Sequence, residues 1–222
     1  VIAIKPISPR DKTKQFFSNY HERNYGKGQI LVFAGDTNKD VYYLVAGRIK
    51  KYSVNYKGEE VVMTIFRPGS FVPISQSIGQ KTSNRFHYAA DTDITVRVAP
   101  SSDVINMLLK NPDIMMSLLL RVNRGLDEFL GRSLSLMAGS ALSRVCYEIY
   151  IEATRFGIKE EGNNIFIEIN ERSIAARTGL TRETVNREIR KLKNIDAVGV
   201  ERRGLVIKNL PLLEKKLYKE LL

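Results

Sequence analysis

Apolar and polar positions along the chain follow two different periods. Between Ile30 and Val98, apolar residues alternate with polar ones in short runs separated by glycines, a pattern typical of half-buried strands. From Pro112 onward the apolar residues recur at spacings of three and four, the period of an amphipathic helix. The pattern predicts strands over residues 30–32, 40–44, 48–54, 60–66, 86–90 and 94–98, and helices after them.

The spacing of the predicted strands indicates how they pair. They start about ten residues apart, which leaves no room for the crossover helix that parallel strands need. Glycines that can form the intervening turns stand at Gly28, Gly35, Gly47, Gly58 and Gly69. The fold class is therefore predicted to be α+β, with an amino-terminal antiparallel β-roll of the jelly-roll type.

The helix predicted over residues 112–137 carries a possible dimer interface. Its apolar positions follow the heptad spacing of a coiled-coil seam, with one polar interruption: Met115, Leu119, Val122, Leu126, Phe129, Ser133 and Leu136. At 1.5 Å per residue, such a helix is about 39 Å long. A neighbouring face with Ile114, Leu118 and Leu130 is expected to pack on the roll of the same chain. A core helix with no partner is the alternative to a dimer.

The long helix is predicted to end before a second helix over residues 141–156. Gly139 lowers helix propensity, and Ser140 is a potential cap for the helix that follows.

Residues 170–193 are the most informative stretch, because they predict two helices joined by a tight turn. Asn170 can cap the first helix and Thr181 the second, since each side-chain oxygen can accept from N–H groups of the first turn. Gly179 permits a positive φ in the turn, and Ala175 allows the helices to approach closely. The positions expected to face inward are Ile174, Leu180, Val185, Ile189 and Leu192. The pattern predicts a helix-turn-helix.

The exposed side of the second predicted helix carries side chains that can read base edges: Arg182, Glu183, Asn186 and Arg187. An arginine can donate twice to guanine, and a glutamate can accept from cytosine N4 in the major groove. Thr184 and Arg190 flank this side and are expected, together with Asn170 and Thr181, to contact DNA phosphates. The alternative is an ordinary amphipathic helix pair with a solvated charged face.

A short hairpin is predicted after the second helix. Residues 198–201 and 205–207 alternate as strands around a turn placed at Arg203-Gly204. Such a hairpin is typical of a winged helix. Arg202 and Arg203 at its tip are then expected to approach the phosphate backbone.

Composition narrows the class of partner. The chain has 222 residues, enough for two domains, and its net charge of +11 favours an anionic partner such as nucleic acid. The amino-terminal basic residues could contact DNA flanks, attract RNA polymerase or be merely solvated; they are Lys5, Arg10, Lys12, Lys14, Arg23 and Lys27.

No apolar run approaches the ~18–20 residues needed to span a bilayer, and no signal segment opens the chain, so no membrane partner and a cytoplasmic location are expected. Because the first residue is Val1 rather than Met, residues could be missing before it.

The residues needed for metal or catalytic chemistry are sparse. A single cysteine, Cys146, excludes a four-cysteine iron–sulfur cluster within one chain and is expected to be buried. His21 and His87 do not stand in a metal-ligand spacing, which disfavours haem and predicts no metal site. No histidine-assisted nucleophile or phosphate-cradling glycine loop is present, and Asp91-Thr92-Asp93 is interpreted as a turn. The chain is not expected to be an enzyme.

These motifs together resemble the cyclic-AMP receptor protein/FNR (Crp/Fnr) superfamily of bacterial transcription regulators. The run Thr181-Arg182-Glu183-Thr184-Val185-Asn186-Arg187 is similar to its recognition-helix motif, and Gly28-Gln29-Ile30, Val45-Ala46-Gly47 and Tyr56-Lys57-Gly58-Glu59 are similar to segments of its β-roll. The resemblance covers nearly the whole chain. It implies that Arg182, Glu183 and Arg187 read a half-site related to TGTGA, and that a twofold dimer binds an inverted repeat.

The resemblance also predicts where an effector would bind. In cyclic-nucleotide-binding members a Gly-Glu pair takes the ribose and an Arg-Ser pair takes the cyclic phosphate, whereas this chain has Pro73-Ile74 and Asn84-Arg85 there. The ribose acceptor is lost and the guanidinium moves by one position, to the opposite face of a strand. Cyclic AMP is therefore disfavoured, and a different anionic effector stays open. Candidates for lining the pocket are Ser75, Gln76, Ser77, Asn84 and Arg85.

The sequence thus predicts a homodimeric, sequence-specific DNA-binding transcription regulator whose effector is an unknown small molecule. The expected domains are an effector-binding roll over residues 1–110, a dimerisation helix over 111–138 and a winged helix-turn-helix over 139–222. The alternative is a small-molecule sensor or protein-interaction module whose helix-turn-helix does not read bases.

Overall fold

A computed structural model describes residues 7–37, 39–78 and 85–218 of the chain. The side chains of Ser75, Gln76 and Tyr218 are outside that description. The chain divides into two compact units, Val1–Val122 and Asn123–Leu222, with the division inside one long helix. Each unit is described separately below.

The amino-terminal unit is a β-roll built from two four-stranded antiparallel sheets. Its elements are α1 (Pro9–Phe17), β1 (Glu22–Tyr25), β2 (Ile30–Val32), β3 (Asp40–Ala46), β4 (Ile49–Val54), β5 (Glu60–Phe66), β6 (Phe71–Val72), α2 (Ile74–Ile78), β7 (His87–Ala90), β8 (Ile94–Pro100) and α3 (Ser101–Lys110). The sheet orders are β1-β8-β3-β6 and β2-β7-β4-β5. All six predicted strands are present, so the predicted antiparallel roll is confirmed. β1 and β6 were not predicted, because β1 is polar and β6 has only two residues.

Strand β3 is buried on both of its faces, and this arrangement organises the roll. Val41 and Tyr43 belong to an apolar cluster that includes Phe17 of α1 and residues of α3. Tyr42 and Leu44 point to the opposite face and belong to a second cluster with residues of both sheets. One face of β3 therefore packs against helices and the other against the second sheet, which explains the continuous apolar run in its sequence.

The long helix α4 (Pro112–Ala138) begins at the predicted position and ends one residue later than predicted. Ile114 is buried and Leu118 packs against the cluster that contains Phe17, as expected for the face on the roll. Leu130 is 55% exposed, so its predicted packing on the same face is wrong. Neither α4 nor any other helix in the described ranges is long and apolar enough to cross a membrane.

The carboxy-terminal unit after α4 is a set of helices with a small sheet. Its elements are α5 (Ala141–Phe156), β9 (Ile158–Lys159), a 3-10 turn (Glu161–Asn163), β10 (Ile165–Ile167), α6 (Glu171–Thr178), α7 (Arg182–Asn194), β11 (Val198–Glu201), β12 (Gly204–Ile207) and α8 (Leu210–Tyr218). The Ser140 hydroxyl caps α5 by accepting from the N–H of Ser143, as predicted. Cys146 is buried in the core of the unit.

The hairpin of β11 and β12 belongs to a larger sheet than predicted, in the order β11-β12-β10-β9. Glu201 pairs with Gly204, which places the turn at Arg202-Arg203 and corrects the predicted turn at Arg203-Gly204. Gly204 lies within β12, where an added Cβ atom would overlap the carbonyl oxygen of Ile167. The glycine is needed for this close approach to β10, and not for the turn.

We predict that Gly204→Ala destabilises the carboxy-terminal unit, because the added methyl group must displace the hairpin or β10. Overpacking of this kind costs about 1–3 kcal/mol, equivalent to a fall of about 4 °C or more in the Tm of a unit of this size. Gly199→Ala, in the paired strand, is the control, since its Cβ would meet nothing closer than 3.6 Å. Calorimetric melting curves that coincide for the two variants would contradict the close approach.

Candidate nucleic-acid interface

The two helices α6 and α7 have the caps and the turn that the sequence predicts. The side-chain oxygen of Asn170 accepts from the N–H of Ser173 at 2.9 Å. The hydroxyl of Thr181 accepts from the N–H of Thr184 at 3.2 Å. Gly179 ends α6 with φ 67°, in the left-handed region. The helix-turn-helix predicted over residues 170–193 is therefore confirmed.

Helix α7 separates an apolar face from a polar one. Val185, Ile189 and Leu192 are buried in the core of the unit. The predicted base-reading residues Arg182, Glu183, Asn186 and Arg187 are all exposed. The helical period puts them on the side away from the buried residues, where they can enter a groove together. Arg190 is also exposed, further along the helix.

Arg187 is held by a buried carboxylate that the sequence analysis missed. Its Nε donates to Glu188 Oε1 at 3.1 Å, and the Lys191 ammonium lies 2.6 Å from Glu188 Oε2. Burial alone would raise the pKa of Glu188, but the hydrogen bonds from Lys191 and Arg187 outweigh it and keep this pKa below its usual value. The bond to Glu188 uses Nε, which leaves the two terminal nitrogens of Arg187 able to donate to a base.

Glu183 is kept in its charged form at the start of α7. Hydrogen bonds from its own backbone N–H and from the Thr181 hydroxyl lower the pKa of its carboxyl group. A charged carboxylate is an acceptor only, as pairing with the amino group of cytosine requires. Glu183 therefore has the protonation state that base reading needs.

Three of the predicted phosphate contacts lie around one small cavity. A cavity of about 150 Å³ between the start of α6 and the hairpin is lined by Asn170, Arg202 and Arg203 among other residues. Arg203 lies 3.4 Å from Glu168 and remains largely exposed. Thr181 and Thr184 are at the start of α7, with their hydroxyl groups 3.1 Å apart. Contact of these residues and of Arg190 with DNA stays a prediction.

A buried network of charges fixes α6 on α5. The carboxylates of Glu148 and Glu152 are almost fully buried on α5. Arg177 of α6 donates to Glu152 at 2.8 Å and lies 3.7 Å from Glu148. Arg132 of α4 forms a two-nitrogen pair with Glu148. The sequence analysis missed this network; acidic residues at apolar positions of the helix over residues 141–156 were the available signal.

The exposed face of α4 carries the predicted dimer seam. The side chains of Leu119, Val122, Leu126 and Phe129 are 46–58% exposed, and Leu136 is 36% exposed. The Ser133 hydroxyl donates to the Phe129 carbonyl oxygen at 2.9 Å, so its polar group is satisfied within the helix. These leucine, valine and phenylalanine side chains form an apolar stripe of the kind that a second helix can cover.

The predicted effector residues are only partly described. Asn84 lies outside the described residues, as do the side chains of Ser75 and Gln76. The Ser77 hydroxyl lies 2.8 Å from the hydroxyl of Ser101 of α3, and Arg85 is exposed before β7. Whether these residues line one pocket stays a prediction.

The structure describes one of the two residues at the expected ribose position in detail. Ile74 stands where the resemblance places the glutamate, and its side chain packs against the cluster of Phe17 and Phe71. The side chain of Ile74 is partly buried, and as an apolar side chain it has no atom that can accept from a hydroxyl group.

No group of His, Cys, Asp and Glu side chains among the described residues could hold a metal ion. His87 Nδ1 accepts from the N–H of Ala34 at 3.2 Å, and its ring stacks on Tyr52. His87 therefore has a structural role in the roll.

Two protein-family models match the chain, one in each half. Residues 22–111 match the cyclic nucleotide-binding domain, and residues 143–216 match the Crp-like helix-turn-helix domain. The global nitrogen regulator of Synechocystis sp. is 25% identical over 187 residues, covering 83% of both chains. The cAMP-activated global transcriptional regulator CRP of Haemophilus influenzae is 20% identical over 192 residues, covering 86% of both.

Solved structures share the fold over most of the chain. A CooA mutant from Carboxydothermus hydrogenoformans has a TM-score of 0.74 at 20% identity, covering 90% of this chain and 89% of that one. A CRP/FNR-family transcriptional regulator from Thermus thermophilus has a TM-score of 0.72 at 18% identity, covering 90% and 100%. At these identities the likeness concerns the fold alone.

We predict that Arg177→Met lowers the free energy of unfolding of the carboxy-terminal unit by about 3–5 kcal/mol, because two carboxylates stay buried with too little positive charge. Arg172→Met, at an exposed position of the same helix, removes the same charge and should cost little. Urea unfolding followed by circular dichroism measures both. Equal losses in the two variants would contradict a dominant role for the buried network.

Proposed function

This chain belongs to the Crp/Fnr superfamily of transcription regulators, and from that premise we propose that it is a homodimer that reads an inverted-repeat operator in double-stranded DNA. The observation that carries the proposal is the exposed face of α7, where Arg182, Glu183, Asn186 and Arg187 stand together. A cytoplasmic location follows from DNA as the partner. The protein acts by binding and has no catalytic activity of its own.

The chemistry of α7 favours G·C pairs in a major groove. Arg182 and Arg187 can each donate two hydrogen bonds to O6 and N7 of a guanine, and Glu183 can accept from N4 of a cytosine. The bond from Arg187 to Glu188 restricts the arginine before DNA arrives, so less side-chain entropy is lost on binding. The resemblance of the run from Thr181 to Arg187 to the recognition-helix motif of the superfamily implies a half-site related to TGTGA, which contains such G·C pairs.

The phosphate backbone is expected to be bound on both sides of the recognition helix. Thr181, Thr184 and Arg190 lie along α7, while Asn170, Arg202 and Arg203 surround the cavity beside the hairpin. Contacts of this kind set the register of the protein on DNA without reading sequence. They also make affinity fall steeply as salt concentration rises, because neutralised phosphates release counterions.

Dimerisation through α4 supplies the symmetry that an inverted repeat requires. A twofold axis at the seam from Leu119 to Leu136 would present two recognition helices to successive major grooves, about 34–36 Å apart. Covering half-exposed leucine, valine and phenylalanine side chains provides the driving force.

The effector is proposed to be a small molecule other than cyclic AMP. The apolar, partly buried side chain of Ile74 supports this view, since it provides no acceptor for a ribose hydroxyl. The single cysteine argues against an iron–sulfur cluster, and the structural contacts of His87 argue against haem. An effector would act by binding one arrangement of the α4 seam better than another, which shifts the population toward DNA binding.

Selection of bound sequences from a random duplex pool tests the DNA-reading function. The purified protein without added ligand should enrich an inverted repeat with TGTGA-like arms. If no sequence is enriched even when metabolites from a cell extract are added, the result favours a sensor or protein-interaction module that does not read bases.

On the selected site, we predict that Arg187→Ala costs about 1–3 kcal/mol of binding free energy, with little change on random DNA. Arg190→Ala is the matched variant on the same helix, and as a phosphate contact it should weaken both DNAs alike. Fluorescence anisotropy at several salt concentrations separates the two roles. If Arg187→Ala loses the same binding free energy on the selected site and on random DNA, Arg187 contacts phosphate and does not read bases.

We also predict that Leu126→Lys produces monomers, because two lysines would face each other across the seam. Asp127→Asn changes the net charge of the chain by the same amount, but at a neighbouring position outside the seam, and should leave the dimer intact. Sedimentation velocity measures the assembly of each variant. A Leu126→Lys protein that sediments as a dimer would show that the seam is misplaced.

A further inference from the structure

The amino-terminal unit contains a cavity that no part of the proposed DNA reading uses. It has a volume of about 420 Å³ and lies between three segments: the start of α1, the turn after β5 and the first half of α4. Three arginines line it, and no acidic residue does. Its lining residues are Pro9, Arg10, Thr13, Arg67, Pro68, Gly69, Ser70, Ser117 and Arg121.

Arg121 is the most enclosed of the three arginines. Its Nη1 donates to the carbonyl oxygen of Gly69 at 2.8 Å, and its guanidinium lies 5.1 Å from the centre of the Phe71 ring. Its Nε is buried with no hydrogen-bond partner among the described residues. A buried donor without a partner is costly, so an acceptor at this position would be stabilising.

The other two arginines converge on the same space. An ideal Cβ on Gly69 would lie 3.7 Å from Nε of Arg10, which places that guanidinium beside the turn after β5. Burial lowers the pKa of Arg121, and the nearby charges of Arg67 and Arg10 act in the same direction, although Tyr43 opposes it. Three positive charges therefore repel one another across the cavity.

Two carboxylates close in sequence to the lining residues of α1 and α4 do not neutralise this charge. Asp113 pairs with Lys12 at 2.7 Å, and that pair lowers the pKa of Asp113. Asp11 accepts from the Ser8 hydroxyl at 2.7 Å. Neither aspartate lines the cavity. Among the described residues, no carboxylate forms an ion pair with Arg10, Arg67 or Arg121.

We propose that this cavity binds the phosphate group of a small phosphorylated metabolite, held by Arg10, Arg67 and Arg121. Guanidinium groups match the geometry of phosphate oxygens, and a dianionic phosphate relieves the repulsion between three cations better than a single carboxylate can. The cavity falls within the range of small-molecule sites and exceeds the needs of free phosphate, which leaves room for an organic portion. The hydroxyl groups of Ser70 and Ser117 supply further hydrogen-bonding groups.

Titration calorimetry on the full chain at about 0.15 M salt tests the site, with inorganic pyrophosphate and glucose 6-phosphate as probes and glucose as the uncharged control. At least one phosphate probe should bind saturably, with one site per chain, and glucose should not bind. Arg10→Gln and Arg67→Gln should each weaken binding about tenfold or more, as expected when a charge-assisted hydrogen bond is lost.

The two arginines chosen for substitution are exposed, so the fold should survive, and a circular dichroism melt checks this. Arg23→Gln, at an exposed position of β1 away from the cavity, is the matched control and should bind as the parent protein does.

Three outcomes of the calorimetry would overturn the proposal: no saturable binding of either phosphate probe, equal weakening by Arg23→Gln, or loss of binding in Arg187→Ala. The last would assign the anion to the recognition helix. Reduced DNA affinity of Arg10→Gln and Arg67→Gln with phosphate binding intact would likewise assign these arginines to DNA. The calorimetry itself needs no nucleic acid, so its result does not depend on the proposed operator.

Discussion

The two buried carboxylates of Glu148 and Glu152 impose the constraint on which the DNA-reading unit depends. Charges taken out of water must be paired, and each unpaired one would cost several kcal/mol. On α5 the pairing comes from Arg177 of α6 and Arg132 of α4. Because an ion pair tolerates little displacement, the first helix of the helix-turn-helix can take few positions on α5. Apolar contacts alone would restrict it less, since they have no direction.

The need to pair a buried charge also acts at the surface of α7. Glu188 is buried beneath the exposed face, and its pairing with Arg187 and Lys191 decides where those side chains stand. The core of the unit therefore sets the position of α6 through Arg177 and the orientation of Arg187 through Glu188. A guanidinium positioned before DNA arrives can discriminate bases with a smaller loss of conformational entropy.

Local signals in the sequence were sufficient for the elements that depend on local physics. Asn170, Thr181 and Gly179 act on neighbouring backbone groups, so spacing alone predicted their roles. The predicted turn at Arg203-Gly204 failed because Gly204 serves a contact with Ile167, which is distant in sequence. The Arg177 network was missed for the same reason, since helical periodicity cannot say which partner will cover a buried glutamate. Polar β1 became visible only through its pairing with β8.

Helix α4 carries three features that regulation would need. Ser117 and Arg121 in its first half line the arginine cavity, the proposed seam runs from Leu119 to Leu136, and Arg132 pairs with Glu148. An anion that bound every arrangement of α1 and α4 with equal affinity would not shift the equilibrium between those arrangements, however tight its binding. Regulation by the proposed phosphate therefore requires that Arg10 and Arg67 reach Arg121 in only one arrangement of these helices. The repulsion among the three guanidinium groups favours separation without ligand, and a bound phosphate reverses that preference.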